Sequence, residues 1–104
     1  MTARHVNSEA FEREVLNSEL PTLVDFHADW CGPCRVMGPV VDELANDLQG
    51  RANVVKIDVD ESPELAARYG VQSIPTFLVV REGKATERLI GVQGREALAA
   101  AIAA

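Results

Sequence analysis

The sequence predicts an α/β fold with a mixed central sheet and helices on both faces. Three observations carry that prediction. Short apolar runs at residues 22–28, 53–58 and 76–80 read as buried strands. Between them lie segments whose apolar residues recur at helical spacing, the clearest being Met37, Val40, Val41, Leu44, Ala45 and Leu48. The segments follow the order β-α-β-α-β-α-β-β-α, in which early crossovers imply parallel strands and the late hairpin an antiparallel edge.

Each element has a local reason. Residues 3–6 form a short edge strand. Asn7 or Ser8 caps a first helix, with Glu9 in its first turn and Phe11 and Val15 on its apolar face, and Pro21 stops it. The strand at 22–28 leads into a helix that ends at Gly50. Gly38-Pro39 interrupts that helix, because Pro39 has no N–H for the Arg35 carbonyl, and a kink is expected there. After the 53–58 strand, Ser62-Pro63 caps a short helix over 63–69 that Gly70 closes. Strands at 76–80 and 86–90 pair through the turn Arg81-Glu82-Gly83-Lys84. Gly94 starts an alanine-rich helix with Leu98 and Ile102 facing inward.

Composition narrows the function classes. The 104 residues fit one domain, 1–104, and 47% hydrophobic residues fit a globular chain. A formal charge of −6 and a pI near 4.8 argue against nucleic acid, which is bound by neutralising phosphates. No run approaches the roughly 20 apolar residues of a membrane span, and the N-terminus reads as lacking a signal peptide. A cytoplasmic, reducing location is the resulting expectation.

Chemistry concentrates in Trp30-Cys31-Gly32-Pro33-Cys34, which holds both cysteines and the one tryptophan. The pair sits where a strand ends and a helix begins. With Cys31 at the N-cap, Pro33 falls in the first turn, where its missing N–H deprives no helical bond. The Cys34 amide then points back at the Cys31 sulfur. Side chains three apart on a helix lie roughly 5–6 Å apart at Cβ, close enough for a disulfide to close. The partial charge of about +0.5 at the helix start favours a thiolate, and such motifs lower a cysteine from about 8.5 to about 7 or below. Cys31 is therefore the expected nucleophile and Cys34 the resolving thiol. A static disulfide, half of a zinc site and two ordinary buried thiols are the competing readings. The loop is too short to staple the fold usefully, and no second cysteine pair exists for a metal. Redox chemistry, with no metal and no bound cofactor, is the favoured reading.

Several residues look misplaced for pure structure. Asp25 lies between Val24 and Phe26 in a strand that otherwise reads as core, so it needs a partner or a raised pKa. Lys56, between Val55 and Ile57, is its counterpart in the next strand and meets Asp25 if the strands are neighbours in register. The pair is then placed to move a proton to or from Cys34. The plainer alternative puts Asp25 against a wet cavity and lets Lys56 snorkel to solvent. His27 shares a strand face with Asp25 and either tunes the thiols or simply packs. Trp30 shields one side of the site. Asp58, Asp60 and Glu61 lack calcium-loop spacing and read as a solvated loop. In Ser73-Ile74-Pro75-Thr76, Pro75 marks a strand start or edge, and the preceding backbone is free to meet an extended peptide.

The run FHADWCGPC, the Asp25/Lys56 pair, Ser73-Ile74-Pro75-Thr76 and Gly91-Val92 together resemble the thioredoxin family along essentially the whole chain. The resemblance implies the thioredoxin fold, a central sheet of about five strands with four helices. It implies proton transfer by Asp25 with Lys56 as neighbour, a cis Pro75 against the disulfide, and Ile74 presenting backbone to substrate. It also implies a docking patch of Trp30, Gly32, Pro33, Ile74, Pro75, Gly91 and Val92. The implied activity is reduction of protein disulfides by a protein that a flavin-containing, NADPH-dependent thioredoxin reductase restores; a monomer is the expected state. Two positions depart from the family pattern: His27 stands where many members have a second tryptophan, and Arg35 where lysine is common. Gly-Pro between the cysteines resembles the reducing members, whereas oxidases and isomerases usually carry a histidine there.

Overall fold

A computed structural model describes residues 3–104. The elements are β1 (Arg4–His5), α1 (Ser8–Phe11), β2 (Thr22–His27), α2 (Gly32–Asp47), β3 (Asn53–Asp58), α3 (Pro63–Arg68), β4 (Thr76–Arg81), β5 (Lys84–Ile90) and α4 (Arg95–Ala103). Their order is the one the sequence predicts. The strands form a five-stranded sheet in the order β1-β3-β2-β4-β5. β1, β3 and β2 run parallel, and β4 and β5 are antiparallel to their neighbours.

β4 turns around because of where its partner residues lie. Thr76 opens β4 opposite Phe26, near the same end of β2 at which Asp58 of β3 stands opposite His27. The α3 connection therefore stays at that end of the sheet. The loops that carry the cysteines and Pro75 meet there for the same reason.

The side-chain period of two divides the core in two. On one face Val24, Phe26, Val55, Ile57, Leu78 and Val80 pack with Phe11, Val15 and Leu65. On the other, Leu23, Val54, Phe77 and Val79 pack with Met37, Val41 and Leu44 of α2 and Leu98 and Ile102 of α4. Val40, Ala45 and Leu48 flank that second core half-buried, so the helical stripe read from the sequence is the one that packs. Burying each such side chain contributes about 1.5–3 kcal/mol.

Some boundaries differ from expectation. β1 is limited to Arg4–His5, and α1 runs on as a π-helical turn over Glu12–Leu16, where the Asn17 amide donates to the Glu12 carbonyl at 2.9 Å. α2 passes unbroken through Gly38-Pro39 and ends at Asp47, three residues before Gly50. Ser62 occupies the N-cap of α3, but its hydroxyl makes no cap bond, and Pro63 alone suits the first turn. Glu82 and Gly83 both have positive φ, +52° and +79°, as a tight two-residue hairpin turn requires. That turn lets β5 begin at Lys84, earlier than the residue 86 expected, and a bulge between Val79 and Val80 absorbs the register shift. Among the described residues no helix is long and apolar enough to cross a membrane.

Candidate active site

Cys31 is the N-cap of α2, with extended backbone at φ −87° and ψ 111°. Its Sγ accepts a hydrogen bond of 3.1 Å from the Cys34 amide. The Arg35 amide bonds the Cys31 carbonyl at 3.2 Å, so helical bonding begins beyond Pro33 and its missing N–H costs nothing. Cys31 and Cys34 are joined in a disulfide, with their Cα atoms 5.2 Å apart. Burial does not tell the sulfurs apart, since the residues are 4% and 7% exposed. What distinguishes them is the cap: Cys31 sits at the N-cap and its sulfur accepts a hydrogen bond from the Cys34 amide, whereas Cys34 lies one turn inside the helix.

A second loop closes over this pair. The Ile74–Pro75 peptide bond is cis, and the Ile74 carbonyl oxygen lies 3.8 Å from Cys31 Sγ. Pro75 is buried just before β4, where its lack of an N–H disrupts no ladder. Thr76 Oγ1 donates to the Ser73 carbonyl at 2.6 Å, and the Gly91 amide donates to the Pro75 carbonyl at 2.8 Å. Gly91 has φ +86°, a left-handed conformation suited to glycine. The cysteine, Pro75 and Gly91 loops are thus tied around one spot.

Trp30 and Val92 are exposed there, and so are Gly32 and Pro33 at the helix start. Val36 and Ile90 are also exposed large apolar side chains. The sequence reading did not single them out, although Val36 lies off the buried stripe of α2. Trp30 is held by its indole N–H, which donates to Asp60 Oδ2 at 2.8 Å. Asp58 Oδ1 in turn accepts from the Asp60 amide at 2.8 Å. The acidic loop is exposed at Asp60 and Glu61, as read, but it also positions the tryptophan, which spacing alone did not signal. The Arg35 guanidinium donates to the Asp29 carbonyl at 2.8 Å, bracing the same loop from α2.

Beneath the helix start lies the misplaced carboxyl. Asp25 is 2% exposed and stands in register with Lys56 on one side and Phe77 on the other. Its Oδ1 has no hydrogen-bond partner among the described residues. Burial pushes its pKa up to about 7, against the pull of the Lys56 charge and with a further push from Asp42. Lys56 is beside Asp25 in register, yet the carboxylate within ion-pair distance of its Nζ is Asp42 of α2, at 3.5 Å. Asp42 also accepts from the Ala3 amide at 3.1 Å. His27, half-buried at the end of β2, is held below the ordinary histidine value by burial and by its neighbour His5.

This arrangement suits thiol–disulfide exchange: a sulfur at a helix start, a second within bonding distance, and a buried proton-holding group on the strand below. Comparison with known proteins agrees. The family model described as Thioredoxin matches residues 2–104. The chain is 42% identical over 96 residues to Thioredoxin of Rickettsia felis, spanning 92% of this chain and 91% of that one. It is 43% identical over 102 residues to Thioredoxin of Pyropia yezoensis, spanning 98% and 95%. Against Thioredoxin 1 of Nostoc sp. it is 46% identical over 89 residues, spanning 86% and 83%. Likeness of that extent, on a chain whose cysteine pair is joined at the head of α2, means that this protein belongs to the thioredoxin family and is a thiol–disulfide oxidoreductase.

Proposed function

We propose that the protein is a cytoplasmic protein-disulfide reductase, a monomer of one domain over residues 1–104, re-reduced by an NADPH-dependent flavin thioredoxin reductase. No bound cofactor takes part; the electrons are carried by Cys31 and Cys34. The observation that carries this reading is the amide of Cys34 donating to the sulfur of Cys31 at the helix start.

In the reduced protein Cys31 is the thiolate. It attacks one sulfur of a client disulfide, the client S–S bond breaks, and one client thiolate leaves from a mixed disulfide. Cys34 then gives its proton to the Asp25 carboxylate, with Lys56 adjusting the charge beside it, and attacks the Cys31 sulfur. The mixed disulfide breaks, the second client thiolate leaves, and Cys31–Cys34 is closed. Two electrons have passed to the client. A carboxyl poised near pH 7 is matched to taking and returning that proton. Trp30, Gly32, Pro33, Ile74, Pro75, Gly91 and Val92 dock the client, Ile74 through its backbone beside Cys31. A reducing compartment suits a pair that must be returned to the dithiol form.

Insulin-disulfide reduction coupled to a thioredoxin reductase and NADPH tests this directly. Turnover by the parent and none by a Cys31→Ser, Cys34→Ser variant is the expected result. Turnover by that variant, or a potential for the pair near that of a strong oxidant (about −120 mV), overturns it.

A further inference from the structure

The exchange described above uses Asp25 and leaves His27 without a task. Its Nε2 is enclosed and has no hydrogen-bond partner among the described residues. Its ring meets that of His5 edge-on, with centroids 5.5 Å apart. Both imidazoles line a cavity of about 280 Å³ that also reaches Cys34, with Lys56, Asp29 and Arg35 on its walls. A histidine that only packs ordinarily has its buried nitrogen satisfied. Here the nitrogen has no partner among the described residues, and the space that His27 lines is also lined by Cys34.

We propose that His27 is a proton-relay residue for Cys34, exchanging the proton between the Asp25 carboxyl and bulk water, and that His5 sets the pH range of the relay. This rests on the reading of Cys34 as the resolving thiol. Asp25 is only 2% exposed, so its own route to solvent is narrow. His27 is the next side chain on the same strand face, about 7 Å further along by the strand repeat, a distance of the size that one intervening water spans. Near pH 7 much of Asp25 holds a proton; the carboxyl passes it to neutral His27 and the imidazolium releases it through the cavity, so that the carboxylate is free to take the Cys34 proton during resolution. Carboxylate and neutral imidazole are both restored, and the electron pair moves only between sulfurs.

The surroundings keep His27 neutral and able to accept at pH 7. His5 faces it from β1, Lys56 and Asp58 from β3, Asp29 from the loop, Cys34 and Arg35 from α2, and Asp25 from its own strand. Burial lowers its pKa first, His5 lowers it further, and Asp58 works in the opposite direction.

The test uses the full-length reduced protein and a chromogenic aromatic disulfide. Attack by Cys31 releases one coloured thiolate and resolution by Cys34 releases a second, followed from pH 5 to 8. The second release in the parent should fall as pH drops, first as Asp25 takes up a proton and then as His27 does. His27→Asn should slow it about tenfold at pH 7, less than loss of a base in direct contact because Asp25 remains, and should remove the His27 part of that acidic limb while leaving the part set by Asp25. Imidazole in the buffer should restore the rate of His27→Ala, whereas a merely structural loss would not respond. His5→Asn, at an exposed side chain, should move the limb to higher pH. Coincident profiles in all variants with no imidazole response overturn the relay. A second release persisting in Cys34→Ser would instead overturn the resolving role on which the relay depends.

Discussion

The two faces of β2 and β3 share one backbone and differ in almost everything else. Toward α1 and α3 they present Val24, Phe26, Val55 and Ile57, each 0% exposed and apolar. Toward α2 and α4 they begin the same way with Leu23 and Val54, then change to Asp25, Lys56, His27 and Asp58 as the strands approach the helix start. The first face supplies burial energy and nothing chemical. The second gives up part of that energy and places charged or chargeable groups toward the helix start. A carboxyl without a partner for one oxygen, in a strand that is otherwise dry, is costly to stability. On the proposed proton transfer, its position under the cysteine helix is what gives the cost a use.

The largest effect separating the faces should be in activity. Cys34→Ser should abolish multiple-turnover disulfide reduction in an insulin assay while leaving unfolding of the reduced protein nearly unchanged. Phe26→Ala on the apolar face should do the reverse, costing about 3–5 kcal/mol in denaturant unfolding while each folded molecule still exchanges disulfides. Loss of exchange by folded Phe26→Ala would break the division of labour.

Asp25→Asn should stabilise the protein, and the gain should depend on pH. In the unfolded chain Asp25 ionises near 3.8, and in the folded protein near 7. Between those values the folded chain holds a proton that the unfolded chain has released, so stability falls as pH rises through the window and levels off above it. The roughly three-unit difference corresponds to up to about 4 kcal/mol at pH 8. Unfolding curves at pH 4 and pH 8 should therefore show the variant gaining at the higher pH only. The same variant should slow mixed-disulfide resolution more than the initial attack; equal slowing of both would remove Asp25 from the proton path. The smallest change is expected for Lys56→Met. Because Lys56 holds the Asp25 pKa down, its removal should extend the window of falling stability to higher pH.

Much of this was legible in the residues. The dithiol at a strand-to-helix junction could be read because Pro33 fits a first turn and the apolar stripe of α2 starts just after it. Asp25 stood out because its neighbours in the strand are all core residues. Features made by contact between distant segments were not legible. Asp42 reaches Lys56 from α2, Asp60 reaches Trp30 across thirty residues, and His5 meets His27 only because β1 and β2 flank β3. The start of β5 is not legible in the residues because nearly every one of them is exposed and no apolar alternation marks it. The cis bond before Pro75 came from family resemblance, since either isomer is compatible with the same residues.

Every step of the proposed exchange depends on Cys31 being the ionised sulfur of the reduced protein. Timed alkylation with iodoacetamide from pH 5 to 9, with each cysteine peptide followed by mass spectrometry, measures this residue by residue. Cys31 should react first, with an ionisation below the roughly 8.5 of a free cysteine, and Cys34 much more slowly at every pH below it. Faster labelling of Cys34, or both thiols inert near pH 7, would contradict the account.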